Sequence, residues 1–291
     1  MPQDDDGEAR SAPQLAVVLK RCRTTPCRVP EGKQHGQFNQ RGLNMAVQEP
    51  AKTGFEKWQD DINKAAGDVN WDTWDCEIQI AVNEYNRHLS GTAGYNPLDW
   101  RLIKAMLWVE TGAKSSEWKI KPMQIGVSGD PGLTSFLSGN EGGDLILPPA
   151  WKGQLTMGSA RTMPAHNIRA GIGYLLMRMA TFEHRSVPVE DSKVHDVTVK
   201  PGDSLDKIAK AHGSTTEVLK KLNPMVGVLR PGQVLKCQKA SVRRVITGWR
   251  PLSASSVALR YNSMRRDPNY AKKLDFAWGL ARKGTEVSCT Q

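Results

Sequence analysis

The chain has 291 residues, 39% hydrophobic and 24% charged, a balance that suits a folded protein with a sizeable core and excludes disorder throughout. Lys and Arg number 40 against 30 Asp and Glu, a net charge of +10, which favours an anionic partner such as nucleic acid, a membrane surface or acidic cell-wall polymer. No stretch approaches the roughly 18 to 20 apolar residues of a membrane span, so membrane insertion is not expected. The basic residues form no stripe interleaved with aromatics, which argues against nucleic acid.

In chain order, residues 1–70 are rich in polar residues, Gly and Pro and show no sustained apolar periodicity; they read as a flexible N-terminal arm. Asp4, Asp5 and Asp6 stand where a classical signal peptide would carry basic residues, and Leu15 to Leu19 is too short for its apolar core. Delivery to an extracytoplasmic substrate would then use a non-classical route. The five cysteines, Cys22, Cys27, Cys76, Cys237 and Cys289, are too scattered for a disulfide scaffold. Cys22 and Cys27 have no matching pair at metal-ligand spacing, so free thiols or one clip in the arm are expected, with no metal and no cofactor.

From Trp71 onward, Ile78, Ala81, Val82 and Tyr85 recur at helical spacing. Leu102, Ile103, Met106 and Leu107 continue the pattern after Asn96-Pro97, with Asp99 placed to cap the second helix. Ser115 to about Pro164 is dense in Gly, Pro and Ser and reads as long loops, which in a compact domain are usually functional. A third helix is expected from Asn167 to Glu183, its Gly171 and Gly173 packed close against a neighbour. Residues 194–240 then read as strand, two short helices and strand. Two further helices follow, Ser253 to Tyr261 and Pro268 to Leu280.

The run from His195 to Ala209, with Pro201-Gly202-Asp203-Ser204-Leu205 at its centre, resembles the opening of a LysM domain. Leu222-Asn223-Pro224 and Leu229-Arg230-Pro231-Gly232-Gln233-Val234-Leu235 resemble its close. A lone Pro-Gly-Asp is only a turn signal; here it precedes a helix and recurs as Pro-Gly-Gln before a strand. The resemblance implies binding of N-acetylglucosamine-containing glycans by two loops. Gly202, Asp203, Ser204 and Leu205 form the first, and Asn223, Pro224, Leu229, Pro231 and Gly232 the second. Leu205, Ile208 and Leu222 also suit core positions.

Trp100 to Gly112, ending Trp108-Val109-Glu110-Thr111-Gly112, resembles the first signature of the soluble lytic transglycosylase and goose-type lysozyme superfamily, an apolar helix that ends in Glu-Ser. Lys121-Pro122-Met123-Gln124-Ile125 is similar to its Gly-Leu-Met-Gln-Ile motif, with a different front half. Asn167-Ile168 opens a helix similar to a third signature, and Arg260-Tyr261-Asn262 is similar to Ala-Tyr-Asn. The order implies an α+β chain: a mainly α-helical lysozyme-like catalytic domain, residues 71–193 and 241–285, interrupted by a βααβ LysM module at 194–240. Ser186 to Lys193 and Ala240 to Thr247 have the composition of exposed loops suited to carry the insertion.

A Glu after an apolar run is ordinarily a solvated helix end. A glycosidase acid, however, needs a carboxyl that holds its proton near neutral pH, and an apolar setting at a helix C-terminus favours that. The resemblance implies that Glu110 protonates the bond between N-acetylmuramic acid and N-acetylglucosamine. It then takes the C6 hydroxyl proton and closes a 1,6-anhydro ring. Tyr261 would place a hydroxyl near the acid; Thr111, Met123, Gln124, Asn167 and Asn262 would shape the sugar site. A hydrolytic muramidase would use a second carboxylate, with Glu117, Asp130, Glu141 and Asp144 as candidates; a cell-wall-binding protein without catalysis is the other alternative. The expected partners are peptidoglycan glycan strands. If the chain is a secreted antibacterial effector, a secretion-machine carrier and a cognate immunity protein join them.

Overall fold

The computed structural model describes residues 51–65, 67–262, 267–284 and 289. Among the described residues the fold is α+β, 50% helical and 12% strand. Residues 1–50, with Cys22 and Cys27, lie outside the described residues. The end of the expected arm, however, is ordered: α1 (Gly54–Ala65) buries Ile62 and Ala65. Its start is closed by Thr53 and Glu56, each accepting a hydrogen bond from the other's backbone N–H, a capping box that composition alone obscures.

Two helices follow, α2 (Asp75–Leu89) and α3 (Trp100–Glu110). Asp99 caps α3 as expected, accepting from the backbone N–H of Arg101 at 3.0 Å. Helix α3 is the axis of the body: every residue from Leu102 to Trp108 is buried. The burial includes Lys104, whose ammonium donates to Asp72 at 2.6 Å and Asp75 at 2.7 Å, as a buried charge requires.

The loop-rich stretch carries only short helices, α4 (Gly132–Leu137), α5 (Gly143–Ile146) and α6 (Met157–Thr162). They pack against α7 (Pro164–Met179). The two α7 glycines allow close approach: a Cβ on Gly171 would lie 2.7 Å from the Met123 side chain, and one on Gly173 2.1 Å from the Phe136 ring.

Helix α7 ends at Met179, short of the Glu183 expected from periodicity. The chain continues as β1 (Ala180–Pro188), paired antiparallel with β4 (Ala240–Trp249) from Ala180 opposite Trp249 to Pro188 opposite Ala240, with a one-residue register shift between Thr181 and Phe182. The segments that read as exposed loops are therefore a two-stranded ribbon. Each strand gains its hydrogen-bond partners from across the insertion, so neither reads clearly by itself. Arg244 fastens the ribbon to the body by donating to the carbonyls of Gly139 and Asn140, at 3.2 and 2.6 Å.

At the far end of the ribbon, β2 (His195–Thr198), α8 (Leu205–Ala211), α9 (Thr216–Leu222) and β3 (Val234–Cys237) form the small unit. It has its own core of Val197, Val199, Ile208, Ala209, Leu219, Leu235 and Cys237. Val189 N–H donates to Lys239 and Ala240 N–H donates to Gly213, so the unit is bonded to its ribbon. The chain then returns to the body as α10 (Ala254–Arg260) and α11 (Tyr270–Ala281), which packs along α3. Cys76 at the start of α2 forms a disulfide with Cys289. The partners are 213 residues apart, so spacing along the chain gives no sign of the pairing; the expectation of free thiols or a clip concerned Cys22 and Cys27.

Candidate functional site

Glu110 is the last residue of α3 and is half-buried. The hydroxyl of Tyr270, at the first turn of α11 and itself buried, donates to Glu110 Oε1 at 2.8 Å and orients the carboxyl. Sequence reasoning missed Tyr270: it lies 160 residues from Glu110, and its only signal is an aromatic opening a helix. Directly after Thr111 the chain turns at Gly112, φ +70, where a Cβ would fall 2.8 Å from the Trp71 ring; an L side chain there is both strained and obstructed.

The loop from Lys121 to Ile125 is fastened beside the helix end from three directions. The Thr111 hydroxyl donates to the Pro122 carbonyl at 2.5 Å and the Tyr261 hydroxyl to the Met123 carbonyl at 2.9 Å. The fully buried Asn167 side chain accepts from Met123 N–H at 2.9 Å and donates to the carbonyls of Ile125 and Ala160. Gln124 takes φ +50, a conformation uncommon for a non-glycine residue, and its side-chain amide donates back to Lys121.

The result is a narrow cleft lined by Glu110, Gln124, Ile125, Asp130, Tyr174, Tyr261 and Asn262. Four of the expected site residues, Glu110, Gln124, Tyr261 and Asn262, line it together. Thr111, Met123 and Asn167 do not; they hold the loop from behind. Asn262 is buried, with an Oδ1 that accepts no hydrogen bond, an acceptor whose desolvation is uncompensated inside the protein. Burial raises the Tyr174 phenol above its ordinary value, and its ring lies edge-on to Tyr261 at 5.5 Å. The enclosed floor is about 30 Å³, room for a water-sized group.

Of the four candidate second carboxylates, only Asp130 reaches this cleft. Its two oxygens accept from the backbone N–H groups of Gly126, at 3.1 Å, and Gly132, at 2.9 Å. Glu117 is paired with Lys121 at 2.9 Å and Glu141 with Arg178 at 3.1 Å; Asp144 lies in α5 against Gly139. Among the described residues no group of three His, Cys, Asp or Glu side chains is placed to hold a metal ion, and no helix is long and apolar enough to cross a membrane.

In the small unit, Gly202 and Gly232 turn the two loops with φ of +80 and +85. Asp203 accepts from Lys200 N–H at 2.8 Å and Ser204 caps α8 through Lys207 N–H. Leu205 and Leu229 are partly buried against the core. Pro224 and Pro231 are exposed. Asn223 braces α9 to β3, accepting from Lys236 N–H and donating to the Lys236 carbonyl, at 2.9 and 2.8 Å. Its side-chain groups are thereby committed to the fold, a role that sequence spacing does not reveal.

Residues 197–237 match the family model of the LysM domain. This part of the chain is a LysM domain, and LysM domains bind peptidoglycan glycan chains. No curated protein and no solved structure matches the chain.

Proposed function

We propose that the chain is a peptidoglycan-cleaving enzyme with a lysozyme-like body, in which the LysM module holds the glycan and Glu110 is the catalytic acid and base. The reading rests on one observation: a glutamate ending the buried helix α3, oriented by Tyr270, opens onto a cleft that also holds Gln124, Tyr261 and the unsatisfied oxygen of Asn262. A sugar ring is too large for the cleft floor, so the strand lies above it with the scissile oxygen directed toward Glu110. The acid protonates the leaving oxygen; as a carboxylate it then accepts the C6 hydroxyl proton of the muramyl unit while that oxygen attacks C1. The product is a 1,6-anhydro end, the outcome of a lytic transglycosylase. Asn262 Oδ1 suits an acetamide N–H or a hydroxyl of the substrate. The Cys76–Cys289 disulfide supports action in an oxidising compartment.

A second reading is favoured by Asp130, a second carboxylate in the same cleft: it would direct a water molecule, and the reaction would be hydrolysis. Mass spectrometry of fragments released from purified sacculi separates the two. Anhydro ends from wild type and none from Glu110→Gln are expected. Reducing ends abolished by Asp130→Asn would replace the transglycosylase with a muramidase, and the absence of soluble fragments would leave a cell-wall-binding protein.

A further inference from the structure

The Glu110 cleft is not the only concavity among the described residues. A pocket of about 450 Å³, within the about 300–1,000 Å³ typical of small-molecule sites, lies at the opposite end of α3. It is formed where β4 enters the body, against the last turns of α7 and α11. Tyr95, Trp249 and Trp278 supply three rings, and Asp99, Arg250 and Arg282 supply charge. An 11-residue helix rises about 16 Å, which is the separation of this pocket from Glu110 along α3.

The rings are held in place before any ligand arrives. Trp249 donates its indole N–H to Thr92 at 3.2 Å and meets Tyr95 edge-on at 4.8 Å. Trp278 donates to Asp99 Oδ2 at 3.2 Å and is covered on one side by the Arg282 guanidinium at 3.9 Å. The Arg250 backbone N–H donates to the Met179 carbonyl and its guanidinium to the Ala180 carbonyl at 2.7 Å, and no carboxylate among the described residues lies within salt-bridge distance of it. Desolvation first, and then the like charges of Arg260 and Arg178, lower its affinity for a proton. An anionic ligand would give the guanidinium the carboxylate partner it lacks.

We propose that this pocket is a second glycan site, taking one carboxylate-bearing N-acetylated sugar, with the pyranose face on the tryptophan rings and the carboxylate on Arg250. A pyranose offers an apolar C–H face for an indole and hydroxyls at its edge. Asp99 Oδ2 is taken by the Trp278 indole and by Arg282 Nε at 3.5 Å; Oδ1, which accepts from Arg101 N–H and lies 3.9 Å from its guanidinium, keeps a lone pair for one of those hydroxyls. A neutral aromatic ligand would leave Arg250 uncompensated, and a bare anion would leave the rings unused. The pocket stands at the root of the ribbon that carries the LysM domain. A glycan strand whose muramyl carboxylates carry no stem peptide, held by the module and by this pocket, is gripped at two points, which raises its effective concentration at the cleft. The proposal rests on the glycan reading for its ligand class and is independent of whether Glu110 cleaves.

The LysM segment 195–237 contains no Trp, Tyr or Phe, so indole signals report on the body alone. The test titrates the full chain with N-acetylmuramic acid, and separately with N-acetylglucosamine and with lactate, following the indole N–H resonances assigned through Trp249→Phe and Trp278→Phe. Saturable shifts of both resonances with N-acetylmuramic acid are expected, with about tenfold weaker binding of N-acetylglucosamine, as loss of a charge-assisted contact implies. Arg250→Gln should remove that preference, and Arg282→Gln, at an exposed residue, is a second variant if Arg250→Gln does not fold. Equal binding of both sugars, shifts with lactate alone, or no shift at either resonance would overturn the proposal. Release of fragments from sacculi with the pocket silent would overturn it while leaving the cleavage reading intact; saturable pocket binding without cleavage would do the reverse.

Discussion

The helical body and the LysM domain bring their candidate binding residues together in opposite ways. The module draws both loops from one contiguous stretch, residues 197–237, and turns them on a core of seven small or aliphatic residues and one two-stranded sheet. The cleft of the body is assembled from Glu110, the 121–125 loop, Asn167, Tyr261 and Tyr270, positions that meet only after the chain has gone out along the ribbon and returned. A local unit declares itself through spacing, whereas a distributed site depends on the docking of helices far apart in sequence.

The largest expected effect that separates the two regions is chemical. Glu110→Gln should lower the rate of fragment release by about 10²–10⁴-fold, the range of general acid–base catalysis, and leave binding of the full chain to sacculi unchanged in a pull-down. Loss of binding would show that the two regions do not act separately. Next comes Asn167→Ala. The Asn167 side chain pairs one buried N–H and two carbonyls, and a buried unsatisfied group costs about 1–3 kcal/mol, so the body should lose about 3 kcal/mol or more in denaturant unfolding. The dispersed amide signals of residues 197–237 should persist; their collapse with the body would contradict an independent module core.

Leu235→Ala reverses the experiment. Leu235 is fully buried in the module core, and truncation of such a leucine costs about 2–5 kcal/mol. Sacculus binding should fall while the cleavage of soluble glycan fragments survives. Reduction of Cys76–Cys289, which closes most of the chain, should destabilise the body by about 2–4 kcal/mol, read as a lower thermal midpoint with reductant than without. The smallest effect is expected from Tyr270→Phe. It removes one hydrogen bond to Glu110, about 1 kcal/mol, and should lower kcat by about fivefold with KM little changed. An unaltered kcat would reduce Tyr270 to a packing residue.

Several features are legible in the chain's residue pattern. The helical spacing of Leu102, Ile103, Met106 and Leu107 and the Asp99 cap locate α3, since a buried amphipathic helix and its cap are both written within one turn of sequence. The glycines of α7 announce close contact, and Met123 and Phe136 supply it. The ribbon is not legible: Ala180–Pro188 reads partly as a helix end and Ala240–Thr247 as a loop, because each strand is stabilised by the other across an insertion and not by its own pattern. Helix α1 is hidden in a polar composition; it is held by its box at Thr53 and Glu56 and by burial of Ile62 and Ala65.

Within the cleft, some residues picked out by the sequence motifs come together and others do not. Gln124, Tyr261 and Asn262 line the cleft with Glu110, whereas Thr111, Met123 and Asn167 support the loop behind it. Tyr270, Asp130 and Tyr174 complete the lining or orient the acid. They carry no periodic or motif signal, because a side chain's use in a site depends on which distant backbone lies opposite.

By itself the sequence determined the LysM domain and the helix that ends at Glu110, because turn glycines, caps and hydrophobic spacing act over a few residues. Tertiary structure alone decided that β1 and β4 form a stalk, that Cys76 meets Cys289, that Tyr270 orients Glu110, and that an aromatic pocket opens at the other end of α3. Each of these depends on long-range packing, in which the partner is selected by the shape and burial of the whole body and not by its neighbours along the chain.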